Sequence, residues 1–221
     1  IGLWLGDGTS SEPIFSVGFS DEEILEKLKI LAIKMKVGIR ITKENNGKKA
    51  YRVLLTTNSG KKRYSIEKCN ENDKNPFCIL LKKLNLFKNK HIGNNLKFQK
   101  KSVREAILAG LIDSDGHYAK GQFEIIQAEC HNNISDGLVW LIRSIGFTCH
   151  FTQKYRNFMD SNGNYIKKLD KRLKFNGKAS NLPIAANRKK GKDTERNWVS
   201  SQPFNINKLG VGKYIGFEID S

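Results

Sequence analysis

Two apolar runs constrain this chain more than any other feature. Each carries a glycine where a helix interior would not favour one, and each ends in Asp-Gly. The fuller copy is Leu108-Ala109-Gly110-Leu111-Ile112-Asp113-Ser114-Asp115-Gly116, and an imperfect one, Ile1-Gly2-Leu3-Trp4-Leu5-Gly6-Asp7-Gly8, opens the sequence. Glycine costs a helix interior about 1 kcal/mol relative to alanine. Its usual justification is the close approach of another backbone. Two helices crossing at their glycines would set Asp7 and Asp115 side by side, and paired carboxylates at one place are what a divalent cation needs. A lone Asp-Gly is a common turn or helix stop. Two copies, each behind a glycine-bearing apolar run, shift the balance to a functional site. Asp113 falls two residues before Asp115, points elsewhere on a helix, and reads as a structural acid.

Charge narrows the partner. The 221 residues hold 39 Lys+Arg against 22 Asp+Glu, a formal charge of +17. Such a balance points to a polyanion. Nucleic acid is favoured over anionic membrane, because no long basic amphipathic helix is present. Apolar residues make up 38% of the chain, with 12 Phe and 3 Trp, enough to build a core around the basic surface. No apolar run approaches the roughly 18 residues of a membrane span. The four cysteines, Cys69, Cys78, Cys130 and Cys149, form no C-x-x-C pair, which argues against a zinc ribbon or a redox centre. They read as reduced thiols of a nuclear or cytosolic protein. In Cys130-His131 and Cys149-His150 the two side chains would point apart on a strand, so a metal role there is weakly supported.

The pattern of elements repeats. Residues 1–7 read as the end of a helix that starts without a cap, as though the fragment began inside a longer protein, and the uncapped strand after Gly212 looks cut in the same way. Ile14–Phe19 reads as a strand. A helix follows Asp21-Glu22-Glu23, with Ile24, Leu25, Leu28, Leu31, Ala32 and Met35 on its apolar face. Val37–Thr42 and Tyr51–Thr56 alternate as strands. Asn75-Pro76 opens a helix to about Phe87. The basic stretch 88–101 leads to the second motif helix, with a capping box at Ser102 and Glu105. Then come a strand at Phe123–Ala128, a helix at Ile134–Ile145, and strands at Phe147–Gln153 and Lys171–Asn176. Asp7 and Asp115 lie 108 residues apart, a duplication at domain scale. The expected halves are residues 1–98 and 99–221. Arg40, Lys43, Arg52, Lys154 and Lys174 on the strands are candidate DNA contacts.

Ile1–Gly8 and Leu108–Gly116 resemble the two signature motifs of the LAGLIDADG homing endonucleases. Further likeness comes from Lys90-His91-Ile92, from His131 followed by Asp136-Gly137-Leu138-Val139, and from Arg143-Ser144 before Gly146. These most resemble the branch of the family borne by inteins and by mating-type switching. The resemblance implies an α+β fold, a pseudo-symmetric pair of αββαββα halves packed through the motif helices, with a basic β-saddle for DNA. It implies a monomeric, Mg²⁺-dependent endonuclease, with Mn²⁺ as a substitute, acting on a long, weakly palindromic double-stranded target. Asp7 and Asp115 would hold the metal, with Gly6 and Ser114 beside them. Lys90 would be one catalytic lysine. The other would lie in Lys189-Lys190: Lys190 is taken as catalytic and Lys189 as a DNA contact, a choice that differing loops leave open. His131 would face DNA. The alternatives are an inactive DNA- or RNA-binding relative of maturase type, and part of an intein whose remaining activity is splicing. An N-terminal Cys or Ser nucleophile and a terminal His-Asn are absent, so this piece would not splice alone.

Overall fold

The structure is a computed structural model. It describes residues 1–44, 49–57, 75–128, 132–159 and 163–194, with isolated positions beyond. His131, Cys69 and Cys130 lie outside the described residues.

Helix α1 (Gly2–Asp7) and helix α5 (Lys101–Asp115) lie against each other at the centre. Ile107 to Asp113 are consecutively buried, because α5 is covered on every side. The crossing depends on the absent side chains. A Cβ on Gly110 would sit 2.4 Å from the Leu3 backbone nitrogen, and one on Gly2 would sit 2.0 Å from the Ile107 carbonyl oxygen. Gly6 would meet the Ser114 side chain at the same distance. The helices therefore interlock through small residues spaced four apart, Gly2/Gly6 on one and Gly110/Ser114 on the other.

Each motif helix leads toward a sheet. After α1 come β1 (Ile14–Gly18), α2 (Glu22–Lys34), β2 (Gly38–Lys43) and β3 (Ala50–Thr56). They form an antiparallel sheet in the order β1-β3-β2. Two short helices, α3 (Pro76–Lys83) and α4 (Asn94–Lys97), then lead to α5. Beyond it lie β4 (Gly116–Ala119), β5 (Gln122–Ala128), α6 (Asn132–Ser144), β6 (Thr148–Met159) and β7 (Tyr165–Asn176), with strand order β4-β5-β7-β6. The order β1-β3-β2 maps onto β5-β7-β6. Gly8 bridges Phe15 where Gly116 opens the β4–β5 pairing with Ile125, so β4 survives in the first half as a single bridge. The fold is α+β, with helices on the inner faces of two antiparallel sheets.

Alternation sorts the strands. Phe123, Ile125 and Gln127 of β5, and Lys171, Leu173 and Phe175 of β7, are buried. Phe123 stacks on Phe175 at 5.3 Å between centroids, and Phe147 meets Phe175 edge-on. Leu138, Leu141 and Ile142 of α6 complete this part of the core. In the first half Trp4 and Phe15 both pack on Phe77.

Several expected boundaries change. α5 starts after Lys100 with no side-chain cap, so Ser102 and Glu105 do not form a capping box. α3 stops at Lys83 rather than near Phe87. β4 and α4 were not expected, and β6 and β7 extend past the expected strands into a polar ribbon twelve residues long on each side. Among the described residues no helix is long and apolar enough to cross a membrane.

Candidate active site

Asp7 and Asp115 are the last residues of α1 and α5, and both are exposed on the outer side of the crossing. The glycine after each serves the exit of the chain. Gly8 and Gly116 have extended backbones, φ −81° and −89°, so positive φ is not their purpose. A Cβ on Gly8 would lie 2.4 Å from the Trp4 carbonyl oxygen, and one on Gly116 would lie 2.7 Å from the Ile112 Cα. Only glycine lets the chain leave the helix there without striking the preceding turn. The Asp115 Oδ2 atom lies 3.1 Å from where a Gly6 Cβ would be. The acid of one helix therefore reaches the terminal turn of the other.

Asp7 is pushed up to about 6, by burial first and by the neighbouring Asp115 second, with Lys189 and Lys90 opposing. Two carboxyls held close in partly desolvated surroundings disfavour each other's charge. Asp115 accepts a 2.7 Å hydrogen bond from Gln127 Nε2. Sequence reasoning missed Gln127. Its signal is a polar residue in phase with the inward positions Phe123 and Ile125, at the strand end nearest the Asp-Gly turn.

Two lysines flank the acids. Lys90 donates from Nζ to the Gly6 carbonyl at 2.9 Å and sits 5.2 Å from the Trp4 ring centroid. Burial pulls its pKa down, while Asp115 and then Asp7 hold it up. Lys189 is buried and donates to the carbonyls of Ile112, Asp113 and Ser114 at 3.1, 2.7 and 2.7 Å. These carbonyls belong to the last turn of α5, where a cation is favoured by the helix dipole; Ile112 also accepts the Gly116 N–H. Burial lowers the Lys189 pKa, and the adjacent Arg188 lowers it further. The two ammonium groups thus occupy matching places, each on the carbonyl just before a motif aspartate.

Lys190 does not join them. It is exposed and donates to Asn187 Oδ1 at 2.7 Å. The structure separates the pair by placement, with Lys189 inside and Lys190 facing outward. The Gly6 and Ser114 carbonyls each already accept a lysine. A carbonyl oxygen has a second lone pair, so both remain available to a cation in that limited sense. Asp113 is structural, with its carboxylate accepting from the backbone N–H groups of Ala185 and Ala186 at 3.0 Å.

Among the described residues no cluster of three or more His, Cys, Asp or Glu could hold a metal ion. The donor set is two carboxylates and two backbone carbonyls, all oxygen, which suits a hard cation that keeps several waters. Mutual repulsion at Asp7 is what such a cation would relieve. Beside the acids opens a pocket of about 310 Å³ lined by Gly6, Lys90, Asp115, Gln127 and Arg156. Cys149 is buried, and its thiol is pushed up to about 11 by burial, with Arg143 opposing, so it has no part in this chemistry.

The expected DNA contacts separate by strand parity. Arg40 and Arg52 share the outer face of the first sheet, because Arg40 pairs with Leu54 and Thr42 with Arg52. Lys43 pairs with Tyr51 and has the opposite parity. Lys154 and Lys174 share the outer face of the second sheet with Arg156 and Arg172. Some charge is answered locally, by Glu12 at Arg52, Glu124 at Arg172 and Lys174, and Asp170 at Arg156.

Residues 91–193 match the family model described as homing endonuclease. That stretch, which carries the second apolar motif Leu108–Gly116, is what the chain shares with the homing endonucleases. The chain is 32% identical over 167 residues to the homothallic switching endonuclease of Saccharomyces cerevisiae, which covers 70% of this chain and 28% of that protein. The chain therefore spans well under half the length of this curated relative. Among solved structures it is similar to mesophilic variants of the homing endonuclease I-DmoI, at 10% identity and a TM-score of 0.46 over 79% of this chain and 78% of that one. It is also similar to I-DmoI in complex with DNA and Mn, at 10% identity and a TM-score of 0.40 over 73% and 72%.

Proposed function

We propose that this chain is a site-specific double-strand DNA endonuclease domain, carried by an intein and built from halves at 1–98 and 99–221. The observation that carries this reading is the meeting of Asp7, Asp115, Lys90 and Lys189 at one helix crossing between two basic sheets. The relative's own description as a switching endonuclease supports it.

Asp7 and Asp115 would hold Mg²⁺, or Mn²⁺ in its place. A cation held by these two carboxylates would supply Lewis-acid polarisation of the scissile phosphates and activation of water. The protein's own residues do the remainder. Gln127 fixes the rotamer of Asp115 by donating to Oδ2. Lys90 and Lys189 carry positive charge beside the acids, where the phosphorane-like transition state gains negative charge. Each lysine is held by a helix-end carbonyl, so it needs little reorganisation. The sheets bring the DNA. Twelve residues at about 3.3 Å each give the β6–β7 ribbon a reach of roughly 40 Å, about one helical turn of duplex. A two-stranded ribbon fits the major groove, and the outer-face arginines and lysines meet phosphates. The two sheets differ in outer-face sequence, so the target would be long and only weakly palindromic, and the protein would act as a monomer.

Incubation with Mg²⁺ and a plasmid bearing the uninterrupted host-gene junction tests the reading. Linear product is expected. Retention of that plasmid in Ca²⁺ without cutting in Mg²⁺ would identify a binding protein instead.

A further inference from the structure

Asp21 immediately precedes α2 at a position where aspartate usually accepts a hydrogen bond from the helix's own first turn. Here it makes no such bond. Its buried carboxylate instead receives Arg188 in a two-pronged contact, Nε to Oδ1 at 2.7 Å and Nη2 to Oδ2 at 2.9 Å. Gly18 leaves room for it, since a Cβ there would lie 3.0 Å from Asp21 Oδ2. Arg188 is the chain neighbour of Lys189, and both belong to the 3₁₀ turn Asn187–Lys189. Upstream, the same segment is tied down twice more, by Asp113 to the N–H groups of Ala185 and Ala186 and by Lys27 Nζ to the Pro183 carbonyl at 2.8 Å. The segment that delivers Lys90 is anchored differently. Backbone bonds join it to its surroundings, Lys88 N to Ser10 O and Ile92 N to Asn133 O.

We infer that Asp21 and Arg188 form a latch between the first-half helix α2 and the strap 183–189, and that this latch positions Lys189 on the terminal carbonyls of α5. Both are positioning residues: they act on the reaction through Lys189. The inference rests on the nuclease reading for its effect on cutting, but not for its effect on Lys189 itself. A planar guanidinium matches a carboxylate at two points where an ammonium matches at one, so arginine fixes the turn's orientation as well as its place.

The test follows the amine directly. The full chain is acetylated with an N-hydroxysuccinimide ester and lysine modification is mapped by peptide mass spectrometry, with the exposed Lys190 as internal reference. In the parent, Lys189 should be acetylated at least tenfold more slowly than Lys190. Arg188→Ala and Asp21→Asn should each remove most of that protection, with Arg188→Lys intermediate, while a thermal melt shows each protein folded. If Arg188→Ala does not fold, Asp21→Asn carries the test. In plasmid assays the latch variants should accumulate nicked circles, because the Lys90 side is untouched, with retention of DNA in Ca²⁺ unchanged. Protection of Lys189 equal to the parent's in the folded variants would overturn the latch. A freed Lys189 with linearisation at the parent rate would support the latch and overturn the role given to Lys189 in cutting.

Discussion

The ends of α1 and α5 solve one problem with unequal means. α5 runs fifteen residues and α1 six. Asp115 is tethered by Gln127, while among the described residues Asp7 accepts no comparable side-chain bond. Lys189 fills three carbonyls and is buried, whereas Lys90 fills one and leans on the Trp4 ring. Duplication has preserved the positions of charge and not the way each is held. The Asp7 side is thus the strained member, with its carboxyl pushed up to about 6, and the Asp115 side is the braced one.

The largest effects should be equal on both sides. Asp7→Asn and Asp115→Asn should each lower the double-strand cutting rate at least a thousandfold in a plasmid time course, with DNA retention in Ca²⁺ nearly unchanged. If one variant keeps the parent rate, the two acids do not share a cation. The lysines come next. Loss of one preorganised charge-stabilising donor costs about a hundredfold to a thousandfold. Lys90→Ala and Lys189→Ala should fall in that range, while Lys190→Ala stays within about twofold. A large effect at Lys190 would restore the assignment that the sequence favoured. Gln127→Ala removes a partner that orients a ligand, a change that typically costs about tenfold or more, and single-turnover kinetics would show it.

Proton linkage separates the two acids further. Cutting should rise with pH through about 6 as Asp7 ionises, and Asp115→Glu should keep that limb if Asp7 is its origin. An acid whose folded value exceeds its unfolded one stabilises the fold when protonated. That contribution is present below about pH 4 and lost as pH rises through about 6. Asp7→Asn should therefore melt a few degrees higher than the parent at pH 8 in chelator, with the gain vanishing near pH 4. No gain at pH 8 would mean that the two carboxyls do not crowd each other.

The crossing itself was legible because glycine in an apolar helix is costly and rarely without cause. Gly2, Gly6 and Gly110 are all places where a Cβ would enter another backbone or side chain. Lys90 was legible from its local sequence. Lys189 was not separable from Lys190, since its burial follows from the strap 183–189, and no periodicity in Asn187-Arg188-Lys189-Lys190 marks which side faces in. The distal ends of β6 and β7 were missed because both faces of that ribbon are largely exposed, leaving no apolar alternation to read. β4, Gly-His-Tyr-Ala, is too short to show a period. The capping box failed because Ser102 falls two residues past the N-cap position of a helix that begins at Lys101.

The central claim is that glycine-mediated crossing of α1 and α5 delivers one acid from each half to a shared cation. Anomalous scattering from crystals of the DNA complex grown with Mn²⁺ tests it most directly. The account predicts metal density in contact with carboxylate oxygens of both Asp7 and Asp115. Metal bound elsewhere, with either carboxylate turned away from it, would contradict the account.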